Sequence, residues 1–357
     1  MKNKVIVAAI ASLLLGLTLW NLTGAKSDYS ESERRVLARF PQISVESILS
    51  GDFADDFEDY VVDHFPKRDF WRRIKAYAKT EGLGQKDNNG LYQAKGHVSK
   101  IEYPMNVQML DHAIQVFSKV NEQYLNDAHR VYLAVIPDKN RYLAKENGYL
   151  SLDYERLSKY MRDEMDFAKY IEVSDLLEAN DYYFTDSHWR QEKITDVAEH
   201  ILNEMNAANL KIQYEKVSLE SPFYGVYVGQ SALKCESDTI NYLTSDMINN
   251  LVVDGADAVY DMKKAEGKDL YEMFLSGNQP IVTIKNPMQD NDRRLIVFRD
   301  SFGSSIAPLL AEGYSETVLV DPRYISSSML GQFVDFEDAD VLFLYSTLLL
   351  NNSLAIK

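Results

Sequence analysis

Residues Arg294–Ala311 read RLIVFRDSFGSSIAPLLA, and this stretch decides the fold. Leu295-Ile296-Val297-Phe298 is an unbroken apolar run, the pattern of a strand buried on both faces. Arg299, Asp300 and Ser301 break it. Gly303 then opens a helical pattern carrying Ile306, Leu309 and Leu310. A strand that turns through a serine into a helix places the hydroxyl at the C-terminal edge of a parallel sheet. Backbone N–H groups of the new helix point to the same spot. Such a place suits a nucleophile and an oxyanion. It equally suits a plain helix cap made by Asp300 or Ser301.

A second stretch bears on that choice. Phe184-Thr185-Asp186-Ser187-His188-Trp189 precedes an amphipathic helix carrying Ile194, Val197, Ala198, Ile201, Leu202 and Met205. A serine nucleophile needs a base, and the base needs an orienting carboxylate. Asp186 and His188 are two positions apart, so one turn brings carboxylate to imidazole. The competing reading makes Asp186 a cap and His188 a partly buried ring.

FTDSHWRQE resembles the Asp-His-His-Trp signature of the bacterial DHHW proteins, and RDSFGSS resembles their Asp-Ser-Phe-Gly segment. These proteins are similar to the SGNH-type polysaccharide O-acetyltransferases. Asp55–Tyr60, Asp63–Asp69, Asn88–Tyr92 and Asp321–Tyr324 fit the same resemblance, which covers nearly all of the chain beyond its N-terminal segment. The first His of the signature is Ser187 here, so the middle position carries no implied role. The resemblance implies a Ser301-His188-Asp186 triad and no cofactor.

Other apolar patterns predict an α/β, flavodoxin-like three-layer fold. Helices are expected over 107–124 and 154–165, with strands at 131–136, 170–173, 317–320 and 341–345 and a short helix near 329–333. With Leu295–Phe298 this makes a five-stranded parallel sheet covered on both faces. SGNH hydrolases place the Ser after the first strand and the Asp/His pair after the last. Here the pair comes first in sequence. Read cyclically from Leu295, the order matches, as if the fold were circularly permuted between its third and fourth strands. Triad geometry is indifferent to chain order. The mapping places oxyanion and substrate contacts at Gly303, Arg323 and Tyr324. The Asn expected after the third strand is absent at Tyr345-Ser346, and the next is Asn351. For Arg323 a salt bridge to Asp321 is the alternative.

The N-terminus is separate. Lys2 and Lys4 precede an apolar run of 18 residues, Val5 to Leu22, and Asp28, Glu31 and Glu33 follow. This charge order predicts a signal anchor with the rest of the chain outside the cytoplasm. Cleavage near Thr23-Gly24-Ala25, giving a secreted protein, is the alternative. The expected organisation is a membrane segment over 1–24, a membrane-proximal helical extension over 25–92, and a catalytic domain over 93–357 with an insertion at 205–292. In the extension, one helix is expected through Ile48, Phe53, Phe57, Tyr60 and Val61. A second, from about Asp69 to Thr80, carries Phe70, Ile74 and Tyr77 on one face. Asp87–Gly90 reads as a turn.

A net charge of −16, with no Lys/Arg cluster beyond short local pairs, argues against a nucleic-acid partner. Cys235 is the single cysteine, placed beside a strand over 224–234, and it allows no intrachain disulfide. The histidines lack metal-ligand spacing, and Gly82-Leu83-Gly84 follows no strand, so no metal or dinucleotide is expected. Asp138–Arg141 reads as a solvated loop in which Lys139 could touch substrate. The insertion's Tyr214, Phe223, Tyr224, Tyr227, Tyr242, Tyr260 and Tyr271 either line a sugar groove or pack a small core of their own.

The chemistry implied is acyl transfer: an extracytoplasmic O-acetyltransferase with a Ser301 acyl-enzyme, a cell-wall or exopolysaccharide acceptor, and an MBOAT-type membrane protein as acetyl donor, this last by resemblance alone. A carbohydrate esterase with the same triad and a non-catalytic glycan-binding scaffold stand as alternatives.

Overall fold

The computed structural model describes residues 2–24, 26–207 and 212–357, without the side chains of Lys2 and Leu22. Ala25, part of the alternative cleavage site, and residues 208–211 of the insertion lie outside the described residues. The chain forms two compact units: Met1–Leu91 with Val226–Lys234, and Tyr92–Gly225 with Cys235–Lys357.

The first unit begins with α1 (Lys2–Thr23), an apolar helix whose apolar side chains are uncovered and which is long enough to cross a membrane. At about 1.5 Å per residue it spans about 33 Å. The single helix expected through Ile48 and Val61 is two, α2 (Val45–Ser50) and α3 (Asp52–Asp63). Gly51 divides them with φ +94°, a left-handed conformation no helix continues through. Next comes α4 (Arg68–Tyr77), which widens into a π-turn over Ala78–Gly82. The turn at Asp87–Gly90 forms as expected, with Asn89 and Gly90 both at positive φ.

The residues 224–234 expected as a strand hold a helix instead, Val226–Ser231. Gly229 explains why this segment is pinned: a Cβ there would lie 1.5 Å from the carbonyl oxygen of Ser32. Cys235 accordingly sits in a loop.

The second unit is a three-layer α/β structure. Its strands are β1 (Val131–Ile136), β2 (Lys169–Ile171), β3 (Val252–Asp254), β4 (Ile281–Lys285), β5 (Arg294–Arg299), β6 (Glu316–Val320) and β7 (Ala339–Ser346). They form one sheet in the order β2-β1-β7-β5-β6-β4-β3. The first five are mutually parallel. The sheet is therefore wider than five strands, because β4 and β3, from the insertion, extend it antiparallel. Their mixed polar and apolar residues suit an edge rather than the fully buried middle. Numbered cyclically from β5, the parallel strands run 2-1-3-4-5, the flavodoxin-like order.

Alternation along each strand builds two cores. Leu295 and Val297 face one side with Leu342 and Leu344, under helices α8 (Thr195–Glu204) and α9 (Gly303–Leu310). Ile296 and Phe298 face the other with Val341, Phe343 and Tyr345, under α5 (Val107–Tyr124) and α7 (Tyr154–Glu164). Each fully buried Ile or Leu contributes about 1.5–3 kcal/mol. All eight residues of β7 are buried, as its central place requires. A further helix here, α6 (Asn140–Asn147), starts where a solvated loop was expected.

Candidate active site

The four central parallel strands end at one edge, and the turns beyond β1, β5, β6 and β7 carry the polar residues gathered there. After β5, Asp300 makes the turn. Its Oδ1 accepts the Phe302 N–H at 2.9 Å, and its Oδ2 accepts the Ser346 N–H at 2.9 Å and the Ser346 hydroxyl at 2.6 Å. One carboxylate thus fixes the start of α9 and ties β5 to β7. No side chain caps α9, Asp300 being spent on the turn, and the Ser301 hydroxyl is left for another partner.

That partner is His188, whose Nε2 lies 2.7 Å from Ser301 Oγ. On the other side of the ring, Nδ1 lies 2.5 Å from Asp186 Oδ1. A carboxylate only accepts, so Nδ1 carries the proton and Nε2 accepts the Ser301 O–H. Asp186 is fully buried, and Oδ1 also accepts the His188 backbone N–H at 3.1 Å. Ser187 is partly exposed, its hydroxyl 3.4 Å from the same oxygen.

The Asp186 loop is held from several sides. Asp238 accepts the Phe184 N–H at 2.8 Å and the Thr185 N–H at 2.7 Å, and takes the Thr185 hydroxyl at 2.5 Å. Lys139, buried at the end of β1, donates to the carbonyls of Tyr183 at 2.7 Å and Phe184 at 3.2 Å. Burial pushes its ammonium down to about 8, against the pull of Asp238 and Asp186. The expectation of a solvated 138–141 loop is therefore wrong. Asp138 is buried too, accepting the hydroxyls of Tyr154 and Thr347 at 2.9 Å each, and burial, with Glu102 adding, raises its carboxyl to about 6. Gly225 lies against Asp186 so closely that a Cβ would come within 2.3 Å of the Asp186 Cβ.

Two aromatic residues connect the histidine loop to the serine helix. The Trp189 indole N–H reaches the Ser305 hydroxyl at 2.9 Å and the Phe302 carbonyl at 3.1 Å. Tyr271 stacks on the His188 ring and donates its hydroxyl to Ser305 Oγ at 2.9 Å. It also packs with Tyr183, Phe223, Ile240 and Phe274, so the core-packing reading of the insertion's aromatics holds for Phe223 and Tyr271, while Tyr224 is exposed. Lys139, Asp238 and Tyr271 carry no local motif. Each reaches the site only through a long-range contact, and Trp189 alone stood inside a quoted signature.

The expected oxyanion residues are placed as follows. The Gly303 N–H donates to the Asp300 carbonyl at 3.1 Å. A Cβ on Gly303 would sit 2.6 Å from the Arg299 Cβ, so close packing on the fully buried Arg299 demands glycine. Arg323 holds Asp321 through Nε at 2.9 Å and Nη2 at 2.6 Å, the alternative weighed for it. Tyr324 is exposed, beneath the Arg323 guanidinium. Asn351 is engaged elsewhere, with Glu102, Pro104 and the Asn106 N–H.

No family model matches the sequence, and no curated protein matches it either. Solved structures do. A DHHW family protein from Eubacterium siraeum is 18% identical, with a TM-score of 0.56 over 74% of this chain and 93% of its own. Bacillus cereus PatB1, solved with a sulfonyl adduct, is 17% identical, with a TM-score of 0.58 over 73% of this chain and 95% of its own. At these identities the likeness is one of fold, and it extends over nearly the whole of both neighbours.

Proposed function

We propose that the protein is a serine-dependent O-acyltransferase acting outside the cytoplasm, with Ser301 as nucleophile, His188 as general base and Asp186 as its orienting carboxylate. The observation that carries this reading is the continuous chain of two short hydrogen bonds from Asp186 through His188 to Ser301. The fold shared with a DHHW protein and PatB1 supports it.

In the first step Ser301 Oγ attacks an acetyl carbonyl while its proton passes to His188 Nε2. The tetrahedral intermediate collapses, the donor's leaving group departs with that proton, and an acetyl-serine remains. A polysaccharide hydroxyl then gives its proton to Nε2 and attacks the ester. Collapse returns the proton to Ser301 and releases the O-acetylated glycan. Arg323 is the proposed charge partner for the oxyanion, with Gly303 and Tyr324 shaping the same edge. The donor is proposed to be an acetyl group carried across the membrane by an MBOAT-type protein, by resemblance to the acetyltransferase systems. Anchoring by α1 would keep the site near it by raising the effective concentration.

Single-turnover acetyl transfer from an activated acetyl ester, with and without oligosaccharide, tests the reading. A burst with acetylated sugar as product is expected, and it disappears in Ser301→Ala. Release of acetate to water alone, whatever the sugar, makes the protein an esterase. Absence of a burst leaves a glycan-binding scaffold. Because a sulfonyl adduct forms on PatB1, a sulfonyl fluoride is a second probe, expected to label Ser301 and no other residue.

A further inference from the structure

Helix α4 is inside out. Arg68, Arg72 and Ala76, one stripe at four-residue spacing, face the body of the first unit. Arg68 pairs with Glu33 and Asp63, and Arg72 with Glu33 at 3.1 Å. The opposite stripe is apolar and uncovered: Phe70 is 57% exposed, Trp71 43%, Ile74 44% and Tyr77 70%. A soluble surface helix carries these residue types the other way round. Four such residues on one stripe are more than the scattered apolar side chains of an ordinary surface.

Two further observations say what lies against this stripe. The first is position. Asn21, near the end of α1, donates to the Val61 carbonyl at 3.4 Å, and Gly24 packs beside Pro66. Pro66 lies two residues before α4 begins, so α4 starts at the foot of the apolar helix. The second is charge. In a chain of net charge −16, six basic residues and one acidic lie between Lys67 and Lys79. Two of the short basic pairs of the sequence, Lys67-Arg68 and Arg72-Arg73, thus lie at this one helix. Lys67, Arg73 and Lys75 are exposed beside the aromatic stripe. Aromatic rings with flanking Lys and Arg are the composition of a helix lying in a lipid headgroup layer.

We infer that the Phe70-Trp71-Ile74-Tyr77 face of α4 lies in the headgroup layer of the bilayer that α1 enters, with Lys67, Arg73 and Lys75 directed at lipid phosphates. This rests on the reading of α1 as a retained membrane anchor. The face is a second attachment, and two attachments fix the orientation of a membrane-bound unit where one leaves it free to swivel.

The three tryptophans make a test possible with the full chain, since Trp20 lies in α1, Trp71 in α4, and Trp189 is fully buried. The chain is reconstituted into phosphatidylcholine vesicles whose acyl chains carry bromine close to the headgroup. Comparison with Trp20→Phe and Trp71→Phe resolves each emission. Both Trp20 and Trp71 are expected to lose emission in brominated vesicles. Quenching of Trp20 with full emission from Trp71 overturns the inference, and the face is then covered by a protein or by a second copy of the chain. Loss of quenching at Trp20 itself overturns the anchor reading and the inference with it. With phosphatidylglycerol added, Arg73→Glu/Lys75→Glu is expected to lower quenching of Trp71 and leave that of Trp20 unchanged. An unchanged Trp71 in that variant overturns the assignment of the basic residues to phosphate.

Discussion

The ring of Tyr271 lies flat on the imidazole of His188, with centroids 3.9 Å apart and planes inclined by 12°. The stack fixes the plane in which His188 meets Asp186 and Ser301, and on the proposed mechanism its π face would stabilise the imidazolium formed as Ser301 gives up its proton. Tyr271 is thus a positioning residue on the serine reading. Tyr271→Leu is expected to slow acylation roughly 2- to 30-fold, the range of a cation–π contact from exposed to desolvated. Tyr271→Phe keeps the ring and loses the hydroxyl's bonds to Ser305 Oγ at 2.9 Å and the Ser301 carbonyl at 3.4 Å, so its acylation rate should stay near that of the native protein if the stack is what matters. Equal losses in both variants would assign the effect to the hydroxyl.

Asp186→Asn should leave the thermal unfolding midpoint almost unchanged and hold His188 in the wrong tautomer. The corresponding change in serine proteases costs about four orders of magnitude in rate. His188→Ala should cost a similar amount, and the double variant little more than either single one, because residues acting as a unit are not additive. Ser187→Ala should keep most activity. Rates of single-turnover acylation measure all four. A nearly silent Asp186→Asn would leave Asp186 as a turn-forming residue alone.

Gly225→Ala tests the bracing of the Asp186 loop. The added methyl meets Asp186 backbone and Cβ atoms that have no room to yield. A destabilisation of about 1–3 kcal/mol is expected, the ordinary cost of overpacking. The acylation rate should fall by more than folded population accounts for, since the displaced atom group carries the carboxylate that aligns His188. Denaturant unfolding and acylation, measured on one preparation, separate the two effects.

His97 is fully buried, tilted against Phe184 with ring centroids 4.3 Å apart, and neither ring nitrogen makes a hydrogen bond among the described residues. Burial holds its imidazole down at about 4, with Lys139 and Arg190 adding repulsion, although Asn180 and the Tyr183 backbone lie near enough to favour the charged ring. Between pH 6.5 and 4 the unfolded chain therefore binds the proton that the folded one refuses. Stability from this group falls as pH falls through that window, by up to about 1.4 kcal/mol per pH unit. His97→Phe should remove this slope and cost little at pH 7, where a neutral ring with unpaired nitrogens gives way to an apolar one. Unfolding free energies across the window, native against variant, are the measurement. A parallel pair of curves would contradict the assignment.

What could be read from the chain was what is local. Ser301 and the Asp186/His188 pair each sit at a junction between elements, so a few neighbouring residues announce them. The five parallel strands were legible because burial on both faces writes itself as continuous apolar runs. Lys139 shows the limit. Its neighbours Asp138, Asn140 and Arg141 look like a solvated turn, and only the arrival of Tyr183 and Phe184 from another loop buries it. Tyr271 stood among seven insertion aromatics with nothing to mark it, because its partner His188 is 83 positions away. Edge strand β3 was missed because its mixed pattern is one that many loops share, while β4 is a short apolar strand at Ile281–Ile284 whose place in this sheet nothing local announces.

The strand order has a consequence for how the molecule is made. Strand β7, at the middle of the sheet, is the last of its strands to be synthesised, and β5 and β6 come shortly before it. As the chain emerges N-terminus first, β1 and β2 appear more than a hundred residues ahead of the neighbour that will cover the inner edge of β1. Until then the pair is an unfinished sheet with an open edge, the sort of species that aggregates or is captured by chaperones. His188 likewise waits for Ser301, which emerges 113 residues later. No nascent or C-terminally clipped chain that lacks β7 can hold Asp300 in place through Ser346. On the serine reading the site is therefore complete only once the last central strand has docked.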